Sequence, residues 1–126
     1  MNGVEVFVAE LSGVFGVETP RVVFDAPISS EAQYSPATKQ IQFSDEQAFI
    51  RTLVEQGSVA PLRWTLHEFA HHLQQSYGVP YSEETARWFT DTLVEEVMDE
   101  WRTAVVQDKQ PTIQLNTETY EERLKR

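Results

Sequence analysis

The chain has 126 residues, 40% of them hydrophobic, with a formal charge of −10 and a pI near 4.6. That length gives one domain with its own core. No apolar run approaches the 18 residues of a membrane-spanning helix, the acidic balance argues against a nucleic-acid partner, and zero cysteines exclude disulfides and thiolate metal ligands. The first ten residues lack the basic start and long apolar run of a signal peptide, so the expectation is a soluble, cytoplasmic protein.

Val4, Phe7, Val8, Leu11, Val14 and Phe15 follow helical spacing, with Gly16 as a stop. The alternation of Val4, Val6 and Val8 makes a strand the competing reading. Residues 20–25 are short, β-branched and flanked by prolines, and they predict a strand. Residues 31–35 and 40–43 predict two more, joined by a turn at 35–39. The three form a small, mostly antiparallel sheet whose edge is able to hold an extended peptide by main-chain hydrogen bonds. Ser44 and Gln47 read as a capping box for a helix from Asp45 to about Gln56, with Phe49, Ile50, Leu53 and Val54 inward.

A helix opened by Ser58 or Ala60, with Pro61 in its first turn, runs to Tyr77 and the stop Gly78-Val79-Pro80. Leu66, Phe69, Ala70, Leu73 and Tyr77 form its buried stripe. Beside that stripe lies His67-Glu68-x-x-His71. Residues four apart share a helix face, so the two imidazoles can meet one zinc ion, and Glu68, offset by one position, can reach a water bound to it. The third histidine, His72, points about 100° away. A hydrolytic site needs a third protein ligand and an open position, and without cysteine that ligand is a downstream carboxylate.

Ser82 caps the next helix, which carries Ala86, Phe89, Leu93, Val97 and Trp101 inward and an acidic outer face. Asp108-Lys-Gln-Pro111 reads as a break. Residues 112–116 alternate as a strand does, and Thr117 or Thr119 caps a final turn through Tyr120 and Leu124.

Together, His67-Glu68-x-x-His71 and Glu83-x-x-Ala86-x-x-Phe89 resemble the two motifs of the gluzincin peptidases, most closely the single-domain minigluzincins. The resemblance implies an α+β, zincin-like domain over residues 1–107: a small sheet packed on the HExxH helix and a glutamate helix. It places the third zinc ligand on Glu83, whose helical phase is inward with Ala86, Thr90 and Val97; Glu84 and Asp91 are the alternatives. It implies a C-terminal tail, 108–126, lying across the cleft of a latent enzyme. Arg87 stands where the family often has an Asp or Asn that orients the first histidine. The function expected is zinc-dependent hydrolysis of peptide bonds in a peptide or protein substrate, by a metal-bound water with Glu68 as general base. Tyr34, Tyr77, Tyr81, His72 and Arg87 are candidates to stabilise the oxyanion. The alternative is a non-catalytic zincin-like module that regulates or binds protein.

Overall fold

The computed structural model describes residues 2–126. Helix α1 (Asn2–Phe15) buries Val4, Phe7, Val8, Leu11 and Phe15, and the helical period prevails over the short valine alternation. Its start packs on a π-helical turn, Arg102–Val106. A Cβ on Gly3 would lie 2.4 Å from the Ala104 carbonyl oxygen, so only glycine permits this approach.

Strands β1 (Arg21–Val23), β2 (Ala32–Ser35) and β3 (Gln40–Phe43) form a sheet of order β1-β3-β2. The sheet is mixed rather than mostly antiparallel: β2 pairs antiparallel with β3, whereas β1 pairs parallel with it. The cause is the segment between β1 and β2, which wraps around the end of β3. There the Ala26 N–H donates to the Phe43 carbonyl and the Ser44 N–H donates to the Glu31 carbonyl. β3 is therefore inserted between the other two strands, and β2 becomes an edge.

Helix α2 (Glu46–Gln56) is capped by Asp45, whose carboxylate accepts from the Ala48 N–H 3.1 Å away. The cap is Asp45 rather than Ser44, with the extended backbone (φ −155°, ψ 111°) of an N-cap residue. Of the four residues expected inward, only Phe49 is buried, and Val54 is 79% exposed.

Helices α3 (Val59–Tyr77) and α4 (Glu83–Leu93) are the principal helix pair. A turn at 94–97 interrupts the helix expected to reach Trp101, and α5 (Met98–Trp101) resumes it. Val97 and Trp101 remain in the core as expected.

The stretch 108–126 contributes no residue to the lining of the cavity beside His67, Glu68 and His71. Residues 112–116 form no strand. Ile113 is buried against the helical core, and α6 (Glu118–Leu124) adds Tyr120 and Leu124 to the same cluster as α1, α3 and α4. Tyr120 packs its ring against Phe15, Trp88 and Phe89. Residues 112–116 keep the period-two alternation, with Ile113 buried and Leu115 partly buried, without joining the sheet. No helix among the described residues is long and apolar enough to cross a membrane.

Candidate metal centre

α3 and α4 are antiparallel neighbours joined by five residues. Gly78, at φ 68°, ends α3 in the left-handed region that glycine adopts without strain, and the Val79 N–H returns to the Gln74 carbonyl at 3.0 Å. Ser82 then caps α4, its hydroxyl accepting from the Thr85 N–H. This tight reversal brings the first residue of α4 beside the middle of α3, although only residues 72–82 intervene between His71 and Glu83.

His67, His71 and Glu83 converge. Glu83 Oε2 lies 3.1 Å from His67 Nε2, and Glu83 Oε1 lies 2.8 Å from His71 Nε2. Their ligand atoms all lie within 4.8 Å of one another, so the group can hold a metal ion. Bonds of about 2.0–2.2 Å in a tetrahedron separate ligand atoms by roughly 3.3–3.6 Å, so the cluster needs only small adjustments to surround an ion. Glu84 and Asp91 stay outside it; Glu84 is exposed and Asp91 pairs with Arg63.

Gln74 fixes the chemistry of His71. Its amide nitrogen donates to the Ser82 carbonyl at 3.0 Å and to the Thr85 hydroxyl at 2.9 Å. Those bonds turn Oε1 towards His71 Nδ1, 2.9 Å away. Nδ1 must therefore carry the proton, and a neutral His71 presents a lone pair at Nε2. That nitrogen is buried and lies 2.8 Å from Glu83 Oε1, outside hydrogen-bond geometry. In the neutral imidazole its lone pair opposes those of the carboxylate oxygen, which a bound metal ion or a proton on Nε2 relieves. Neither composition nor motif spacing marked Gln74; the available signal was a polar residue inside the buried stripe, three positions after a proposed ligand. Gln74→Leu removes the acceptor. Zinc affinity, read by competition with a chromophoric chelator, is expected to fall about 10–100-fold; an unchanged affinity would remove Gln74 from the site.

Among the described residues no side chain is hydrogen-bonded to His67 Nδ1, and Arg87 lies near enough to oppose a positive charge on His67. Burial, the largest influence, sets the His67 pKa below its ordinary value, while Glu83 acts against it. Burial thus favours the neutral imidazole that metal ligation requires.

Glu68 lines a cavity of about 310 Å³ together with both histidines, Tyr81, Glu83 and strand β2. Burial, reinforced by the charge of Glu83, pushes its carboxyl up to about 7, and the Tyr34 main-chain amide opposes that rise. The sign of the linkage follows. A raised folded-state pKa gives stability that is complete at acid pH and is lost as the pH rises through about 7, at a cost of about 3 kcal/mol when fully ionised. In metal-free protein, Glu68→Gln is therefore expected to gain stability over wild type at pH 8 but not at pH 4. Urea unfolding in chelator checks this; an equal difference at both pH values would contradict it.

The other polar candidates separate clearly. The Tyr34 hydroxyl lies 2.8 Å from His72 Nδ1 and 2.7 Å from Gln75 Oε1, and His72 Nε2 donates to the Glu18 carbonyl at 2.6 Å. His72 and Tyr34 are thus committed to tying α3 to β2 and to the segment before β1. The Tyr77 ring lies under Lys125. Neither Tyr77 nor Arg87 lines the cavity at the cluster. Tyr34 and Tyr81 do, and Tyr81 also stacks its ring on His71 and donates its phenol to Glu83. Compared with known proteins, the chain matches no family model, no curated protein and no solved structure.

Proposed function

We propose that the chain is a zinc metallopeptidase of the gluzincin type, with His67, His71 and Glu83 as the zinc ligands and Glu68 as general base. The observation that carries this reading is the convergence of His67 Nε2, His71 Nε2 and the two oxygens of Glu83, with Gln74 holding His71 by its far nitrogen. Two imidazoles and one carboxylate are a ligand set that suits zinc. The order of elements also supports a zincin-like fold: a three-stranded sheet, then the HExxH helix, then a helix opening on a glutamate.

Bound zinc would supply Lewis acidity towards water and a peptide carbonyl. Glu68, buried beside the cluster, takes the proton of the attacking water and delivers it to the leaving amine. Strand β2 positions the substrate. The Ser44–Glu31 bond and the β2–β3 register direct the main-chain groups of Gln33 and Ser35 inward to β3, so those of Ala32 and Tyr34 face away from it; the Tyr34 N–H meets Glu68, and the Ala32 groups and the Tyr34 carbonyl are left for a substrate. An extended peptide pairing there lies along the cavity that holds Glu68 and both histidines. The absence of 108–126 from that cavity's lining supports a cleft that the chain's own C-terminus does not block.

The proximity of Arg87 to His67 favours a second reading, a zincin-like module that binds protein without catalysis. Incubating zinc-loaded protein with a mixed peptide library and reading products by mass spectrometry separates the two. Cleavage abolished by chelator and restored by zinc is expected. No cleavage by protein carrying one zinc per chain would leave the binding module.

A further inference from the structure

We infer that Tyr81 is the positioning residue of the metal centre: its phenol occupies one oxygen of Glu83, so that the carboxylate offers the ion a single oxygen and a coordination position stays open. The inference deepens the metallopeptidase reading and rests on it.

Tyr81 is 68% exposed, so packing in the core does not explain where its ring lies. The ring is nearly parallel to the His71 imidazole, 4.1 Å between centroids at 8°. Its hydroxyl donates to Glu83 Oε1. The side chain thus touches two of the three members of the cluster and walls the cavity on their open side. Backbone geometry makes this possible. Ser82 is extended at φ −146° and ψ 117°, and across an extended residue the flanking side chains project to the same side. Tyr81 and Glu83 therefore face one another, while Ser82 turns to cap α4.

A carboxylate is able to bind an ion through one oxygen or two. Two would raise the coordination number by one and crowd the position that a hydrolytic site keeps for its nucleophile. Oε1, 2.8 Å from His71 Nε2, already accepts from the phenol, so Oε2, 3.1 Å from His67 Nε2, is the oxygen more open to the ion. The stacked ring meanwhile restrains the His71 imidazole, complementing Gln74 on its far nitrogen. Tyr81 acts through Glu83 and His71.

Full-length wild type, Tyr81→Phe and Glu84→Ala, each loaded with cobalt(II), test this by visible absorption, whose intensity falls as coordination number rises from four to five. Tyr81→Phe keeps the ring and loses only the hydroxyl. It is expected to lower the molar absorption about twofold or more and to weaken zinc binding about tenfold, with Glu84→Ala matching wild type in both. A cobalt spectrum unchanged in Tyr81→Phe overturns the inference and leaves the metallopeptidase reading standing. Wild type that takes up neither cobalt nor zinc overturns both.

Discussion

On the proposed reading, Glu68→Ala lowers kcat/KM for peptide hydrolysis by about 10²–10⁴-fold and leaves the zinc content at the wild-type level. That loss corresponds to about 3–5 kcal/mol of transition-state stabilisation. The split between activity and metal follows from position. Glu68 lines the same cavity as the ligands but is not one of the three residues whose ligand atoms converge. Hydrolysis retained in full by Glu68→Ala would show that another group takes the proton. Loss of zinc together with activity would show that Glu68 supports the site rather than the reaction.

The second large effect concerns the C-terminal stretch and reverses the sign that a covering tail would give. Tyr120 is 3% exposed, with its ring among Phe15, Trp88 and Phe89 and its hydroxyl donating to Glu96. Tyr120→Ala leaves a cavity between α1, α4 and α6. The expected cost is about 3–5 kcal/mol in urea unfolding, or a fall in Tm on the order of 10 °C or more. Tyr120→Phe, which keeps the ring, loses about 1 kcal/mol. Were Tyr120→Ala to keep its stability and gain activity, the stretch would be an inhibitory flap and not part of the core.

What the sequence disclosed about the site was what depends on local spacing. His67 and His71 share a face because four residues make about one helical turn. Glu83 shares its phase with Ala86 and Thr90, and the structure brings it to the histidines while leaving Glu84 and Asp91 outside. Gln74 escaped notice because its role exists only once α4 has folded back to place Ser82 and Thr85 against it. Tyr81 stood among five candidates until the link between α3 and α4 showed which ring reaches the cluster. The parallel pairing of β1 with β3 was hidden for the same reason: strand periodicity gives the faces of a strand but not its neighbour. Ile50, Leu53 and Val54 follow the helical period of α2 yet remain partly or largely exposed. α2 packs on the core through a narrow face, and amphipathicity sets the direction of burial without its depth.

The central claim is that His67, His71 and Glu83 hold one zinc ion. Native mass spectrometry of wild type, His71→Ala and Glu84→Ala, each offered zinc and then desalted, tests it most directly. The account predicts one zinc per chain in wild type and in Glu84→Ala, and none in His71→Ala. Zinc retained by His71→Ala, or absent from wild type at any zinc concentration offered, would contradict it.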